Sequence, residues 1–195
     1  MTANTQTTKL TYGQMYEKNN LLYIRYDACI ETRANGQKKI KGIDMPCYSK
    51  IRKQKQYKKD DGKFYSLLMG VEYQPGKYLM LLDLDNKEDE TSKNGKDLIA
   101  LLNLDDYDAP KQSTPSGGVH YLFYVDAKQK DLIGTKTGIM YEGVKYNADV
   151  KFKNGLCNCQ PTKIPDYGKY EWEDWRKLKN IPKLPDHIFE IIKKR

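Results

Sequence analysis

Long apolar runs are missing from this 195-residue chain; none approaches the roughly 20 residues that a membrane-spanning helix needs. The start, Met1-Thr2-Ala3-Asn4-Thr5-Gln6, is polar and lacks the apolar centre of a secretory signal, so an intracellular protein with no membrane partner is expected. Cysteine is scarce, at 4 residues (Cys29, Cys47, Cys157, Cys159), and no Cys-x-x-Cys spacing occurs. Histidine is scarcer, with only His120 and His187. These shortages argue against a zinc site, and without a secretory signal they favour reduced thiols over disulfides. There is no internal repeat and no clear linker. The length suits one domain over 10–195 behind a disordered tail at 1–9, with an N-terminal part at 10–75 and the motifs and C-terminal helices at 76–195. The chain stops directly after its last helical pattern, which reads as the front piece of a longer protein.

Positive charge, by contrast, is in excess, at a net +8. Lysine and arginine neutralise phosphates and release counterions, so nucleic acid is the first anionic partner to consider. The densest cluster lies in Tyr48–Lys59 and contains Lys50, Arg52, Lys53, Lys55, Lys58 and Lys59, with Tyr48, Ile51 and Tyr57 between them. It reads as a helix or loop that is either a solvated face or a DNA-contacting surface.

Strands are expected at Leu21–Tyr26, at Gln37–Ile43 after an Asn35-Gly36 turn, and at Val119–Val125. Phe64–Glu72 and Tyr78–Asp85 flank Pro75-Gly76 and read as a hairpin or as adjacent strands. Leu98, Ile99, Leu101 and Leu102 have helical spacing within Asp97–Leu104, and Trp172–Leu178 and Asp186–Lys194 also look helical. Asn147–Lys153 and Leu156–Gln160 surround Asn154-Gly155, the preferred pair for a two-residue hairpin. A tight turn there sets Lys153 against Leu156, Phe152 against Cys157 and Val150 against Cys159. Both thiols would then be buried beside Val150 and Phe152, with Asn158 and Gln160 on the face of Asp149 and Lys151.

Leu81-Leu82-Asp83-Leu84-Asp85 ends an apolar strand with two acids on one face. Leu79–Leu82 is apolar without a break, as in a strand buried on both sides. Two carboxylates there repel unless a cation joins them, and magnesium prefers such hard oxygen donors. The other reading is a solvated strand end. Asp149 is the natural third carboxylate, and Lys151 shares its face, where its ammonium can hold a phosphate. In Ser113–His120, Gly117 and Gly118 let main chain approach an anion, Ser116 offers a hydroxyl, and His120 can donate to a phosphate or protonate a leaving group. The other reading is a turn followed by a structural histidine. The loop precedes a strand, so it is not a Walker loop.

Taken together, Leu82–Asp85, Thr114–His120, Asp149-Val150-Lys151, Asn154-Gly155 and Gln160-Pro161-Thr162 resemble, in order, the motifs of the archaeo-eukaryotic primase superfamily, closest to its primase-polymerase branch. Tyr170-Glu171-Trp172 and Leu184-Pro185-Asp186 resemble the family's ending, and the likeness covers roughly 62–193. It implies an α/β (α+β) domain in which an RNA-recognition-motif-like catalytic sheet packs against a second small α/β module. It also implies a nucleotidyltransferase in which Asp83, Asp85 and Asp149 bind two Mg2+ or Mn2+ ions and, with His120, are catalytic. Ser116, Gly117, Gly118, His120 and Lys151 would meet the nucleotide. The implied partners are a single-stranded DNA template, a primer, nucleoside triphosphates and a replicative helicase on the same longer chain. The implied source is a virus or mobile element, and for a virus the location is host cytoplasm or nucleus. Two departures stand out: Lys151 where many relatives have arginine, which loses the bidentate fork, and Thr162 where they have serine.

The leading expectation is template-directed transfer of a nucleotide from a (d)NTP to a primer 3′-hydroxyl or an initiating nucleotide. The alternative is a noncatalytic DNA-binding or replication-initiation module. A metal-dependent glycosyltransferase explains neither Asp149 with Lys151 nor the basic cluster, and a nicking replication protein would need paired histidines.

Overall fold

The computed structural model describes residues 10–32, 36, 38–43, 62–194 and the main chain of 57–58. The tail at 1–9 and Lys50, Arg52, Lys53, Lys55 and Lys59 lie outside the described residues. The architecture is mixed, with three α-helices and four β-sheets among the described residues. No helix among them is long and apolar enough to cross a membrane.

The chain enters through α1 (Tyr12–Lys18), which Thr11 starts with a capping box: its hydroxyl accepts from Gln14 N–H, and Gln14 Oε1 accepts from Thr11 N–H. Next come β1 (Tyr23–Tyr26) and the hairpin of β2 (Ala28–Thr32) with β3 (Lys38–Gly42). Tyr57–Lys58 is a strand, β4, parallel to β1, so Lys58 is not in a helix or loop as its cluster suggested. With β5 (Phe64–Leu68) and β12 (Leu156–Cys159) these form a four-stranded sheet in the order β12-β5-β1-β4.

The larger sheet is built on β7 (Lys77–Leu84), which β6 (Glu72–Gln74) joins through a Pro75-Gly76 turn with Gly76 at φ 74°. Phe64–Leu68, expected beside β7, instead pairs with β1 and β12, so of the Phe64–Glu72 run only Glu72 enters the hairpin strand, followed by Tyr73 and Gln74. Around β7 the order is β10-β11-β7-β9-β8-β15, comprising β8 (Lys111–Ser113), β9 (Val119–Asp126), β10 (Lys136–Tyr141), β11 (Val144–Lys151) and β15 (Glu171–Trp172). Every pairing along this order is antiparallel. A two-stranded pair, β13 (Lys163–Ile164) with β14 (Gly168–Lys169), follows β12.

Leu79, Met80, Leu81 and Leu82 are all 0% exposed, which explains the unbroken apolar run. Met80, Leu82 and Leu84 pack under α2 (Asp97–Leu101) and α3 (Asp186–Ile192), whereas Leu79 and Leu81 meet Tyr16, Leu67 and Cys157 between the two sheets. Each such burial contributes on the order of 1.5–3 kcal/mol. Trp172–Leu178 is not one helix: Trp172 ends β15, and a 3-10 turn spans Trp175–Lys179.

The Asn154-Gly155 hairpin does not form. Both edges of β11 are taken, by β7 and β10, so β12 crosses to the free edge of β5, with Cys157 opposite Leu67 and Cys159 opposite Tyr65. The turn sits one residue earlier: Gly155 N–H donates to Phe152 C=O, and Asn154 takes φ 61°. The thiols are buried, as expected, but in the seam between the sheets, and Asn158 is on a different sheet from Asp149 and Lys151.

Candidate active site

Strand register places four polar residues in one row across the larger sheet. Asp83 on β7 lies opposite Asp149 on β11 at one side and His120 on β9 at the other, and His120 lies opposite Gln112 on β8. Cross-strand partners share a face, and this face is the one turned toward the four-stranded sheet. The side chains of Asp83 and Asp149 are about one-fifth exposed, while His120 is buried.

A cation already joins the two carboxylates. Lys151 Nζ is 2.5 Å from Asp149 Oδ2 and 3.6 Å from Asp83 Oδ2. The other Asp83 oxygen, Oδ1, is 3.3 Å from His120 Nε2. Burial alone would raise the Asp83 carboxyl, but His120 and Lys151 outweigh it and hold the group below the ordinary carboxylate range. Burial would likewise lower the Lys151 ammonium, and Asp83 with Asp149 reverse that and raise it.

The proton on His120 can be placed from its neighbours. Gln112 Oε1 accepts from the main-chain N–H of Gln160 at 2.9 Å, which fixes which end of the amide is oxygen. Gln112 Nε2 donates to Asn158 C=O at 3.0 Å and lies 3.0 Å from His120 Nδ1. Cys157 Sγ is 3.3 Å from the same nitrogen; burial pushes its thiol well up, and its one hydrogen is given to Asn158 C=O at 3.4 Å. The second N–H of the Gln112 amide makes Nδ1 the acceptor, which leaves the ring proton on Nε2, facing Asp83.

Asp85 is not part of this cluster. It follows the end of β7, donates its N–H to Asn147 C=O and pairs with Lys87 at 3.0 Å. Asn147 holds the 87–92 loop through bonds to Lys87 C=O, Asp89 and Ser92 C=O. Ser116, Gly117 and Gly118 form a tight turn over the end of β7. Gly117 N–H donates to Thr114 C=O and so closes the turn rather than facing outward, and Ser116 Oγ is 3.2 Å from Thr114 Oγ1. A Cβ on Gly118 would lie 2.7 Å from Leu84 O, so glycine is required for that approach. Thr162 is a latch: its hydroxyl accepts from Tyr65 N–H at 2.8 Å and donates to Tyr65 C=O at 3.0 Å.

Among the described residues, no three His, Cys, Asp or Glu side chains form a ready-made metal cluster. The donor chemistry of the pair nonetheless fits a hard divalent cation. Asp83 and Asp149 are hydrogen-bonded strand neighbours, and Lys151 shows that the point between them takes positive charge.

The family of bifunctional DNA primase/polymerase N-terminal domains, Prim-Pol, matches residues 49–187. The chain belongs to the Prim-Pol family. A search of curated proteins gives no match. Membership supports nucleotidyl transfer and DNA binding in general, and Prim-Pol domains generally use divalent metal ions and bind single-stranded DNA and nucleoside triphosphates. In this Prim-Pol domain sequence reasoning missed Gln112 altogether and gave Asn158 and Tyr170 no role beside His120. Asn158 Oδ1 accepts from Tyr26 OH and Ser66 Oγ, both at 2.7 Å. The Tyr170 ring is 5.8 Å from that of His120, and burial raises its phenol despite a hydrogen bond with Asn158. Only the strand alternation of Lys111-Gln112-Ser113 could have pointed to Gln112, and three residues are too few to read.

Proposed function

We propose that this domain is a DNA primase-polymerase that adds a nucleotide from a (d)NTP to a primer 3′-hydroxyl on a single-stranded DNA template. The observation that carries the reading is the row Asp149–Asp83–His120, with Lys151 bridging its two carboxylates. The sheet order is compatible with it: β7, α2, β8, β9 and β11 come in that chain order, with β10 between the last two, and the strands lie as β11-β7-β9-β8, as the RNA-recognition-motif-like sheet implied by the resemblance would have them.

In this reading Asp83 and Asp149 hold Mg2+ or Mn2+, and Asp85 joins them after releasing Lys87. The bound ions supply acidification of the attacking hydroxyl and neutralisation of the triphosphate. Lys151 competes for the same carboxylate oxygens, and once displaced its ammonium is on the correct face to meet a phosphate. As a lysine it gives a point charge rather than a fork. His120 keeps a N–H on Nε2 that orients Asp83 and can be offered to the nucleotide. Ser116 contributes a hydroxyl from a turn that Gly117 and Gly118 hold over the strand end. The 3′-hydroxyl oxygen attacks the α-phosphorus, and pyrophosphate leaves.

Primer extension on a DNA template with each nucleotide type tests the reading. Asp83→Asn should abolish extension in either metal while leaving strand binding within about threefold; full extension by that variant refutes the assignment. The Asp85–Lys87 pair favours a second reading, a noncatalytic DNA-binding module. Metal-dependent nucleotide binding by the wild-type chain would exclude it.

A further inference from the structure

A groove of about 610 Å³ opens on the four-stranded sheet, away from the carboxylate row. Its lining combines three cations, Arg25, Lys63 and Lys163, with Tyr65, Pro161 and Pro165. Arg25 is held in place: its Nε donates to Gly62 C=O at 2.6 Å, and its guanidinium carbon stands 5.6 Å from the Tyr65 ring centroid. Tyr65 is in turn stacked on Tyr23, with centroids 5.7 Å apart and planes 12° apart. Both terminal nitrogens are left without a hydrogen-bond or ion-pair partner among the described residues. Lys63 and Lys163 are exposed and make no ion pair with a described residue. The one acid in the lining, Asp166, is beyond ion-pair distance of all three.

We propose that this groove holds the phosphodiester backbone of a single-stranded nucleic acid. A guanidinium with its fork free is suited to bidentate phosphate contact, and the mixed lining of cations, tyrosine and prolines suits a strand that also presents sugar and base. The location agrees. Arg25 lies opposite Tyr65, and Tyr65 is two residues along β5 from Leu67, whose partner Cys157 touches His120. Two residues of strand span about 7 Å, so a strand in the groove runs toward the carboxylate row. Main-chain register also sets Lys58 on β4 beside Arg25. The polymerase reading enters only in naming the occupant as template; binding itself needs neither metal nor nucleotide.

The test is fluorescence anisotropy of a labelled single-stranded DNA oligonucleotide with the full chain, without metal, across a sodium chloride series. The triple variant Arg25→Gln, Lys63→Gln, Lys163→Gln is compared with Lys128→Gln, Lys145→Gln, Lys179→Gln, which removes equal charge from exposed sites elsewhere. Loss of three phosphate contacts should flatten the slope of log K against log salt by about 2 and weaken binding about tenfold or more at low salt. The matched variant should stay within about threefold of wild type. Equal loss in both variants overturns the proposal. So does three-cation-dependent binding of dATP alone, which would make the groove a triphosphate site. If Arg25→Gln impairs folding, the Lys63→Gln, Lys163→Gln pair carries the test, with a slope change of about 1.4. Failure here with extension intact leaves the enzyme reading standing; strand binding here with no extension removes the enzyme reading alone.

Discussion

Replacing Gln112 by Glu should move a proton on His120. The wild-type amide makes three bonds of 2.9–3.0 Å, accepting from Gln160 N–H and pointing its nitrogen at Asn158 C=O and His120 Nδ1. In Gln112→Glu the first bond survives. The second carboxylate oxygen then faces two acceptors, and the nearest proton able to resolve this is the one on the imidazole. It is expected to transfer to Nδ1, taking the N–H away from Asp83. Asn158 C=O loses its donor, and a buried unsatisfied acceptor costs about 1–3 kcal/mol. For a domain of this size that lowers Tm by roughly 2–12 °C. Nitrogen-15 spectra of histidine-labelled, metal-free protein read the tautomer directly, and exposed His187, the other histidine of the 2, serves as the internal reference. In wild type the Nε2 signal of His120 should be that of a protonated nitrogen and Nδ1 that of a bare one, and the variant should reverse them. A wild-type proton on Nδ1, or a variant with an unchanged spectrum and unchanged Tm, refutes the reasoning.

Two further outcomes concern the carboxylates. Lys151→Ala leaves Asp83 and Asp149 facing each other without a cation, so metal-free protein should lose stability, and magnesium should raise its Tm by more than it raises that of wild type; equal metal-induced shifts count against the bridging role. The Asp83 carboxyl is depressed in the fold because His120 and Lys151 outweigh its burial, so its stabilisation is complete above the unfolded value of about 3.9 and is lost as pH falls through the lower folded value. The Tm gap between wild type and Asp83→Asn should therefore be constant near neutrality and shrink below about pH 4, and a gap that ignores pH contradicts this.

The row of acids was legible in the chain because its strands carry strong local patterns. β7 is apolar from Leu79 to Leu82, β11 alternates, and β9 follows a glycine turn, so the sequence alone sets Asp83, Asp149 and His120 near one another. What was not legible was which strand edges are free. Asn154-Gly155 marks a turn correctly but says nothing about β11 being flanked on both sides, so Leu156–Cys159 was assigned to the wrong partner. The same limitation misplaced Phe64–Leu68. Strand pairing is a tertiary choice that local sequence underdetermines. Gln112 was invisible for a related reason: its importance comes entirely from main-chain groups of Asn158 and Gln160, residues distant in sequence that arrive only when β12 changes sheets.

That change of sheet gives the Gln112 amide a mechanical consequence. Both of its ends are tied to the chain of the smaller sheet, Nε2 by donating to Asn158 C=O and Oε1 by accepting from Gln160 N–H, while its own strand belongs to the larger. If the sheets shifted by about 1 Å along these bonds, lengths of 2.9–3.0 Å would leave hydrogen-bonding range. The histidine would then feel the slip before any carboxylate did. The amide thus works as a gauge of alignment between the two halves of the molecule, and its reading is delivered to the ring beside Asp83.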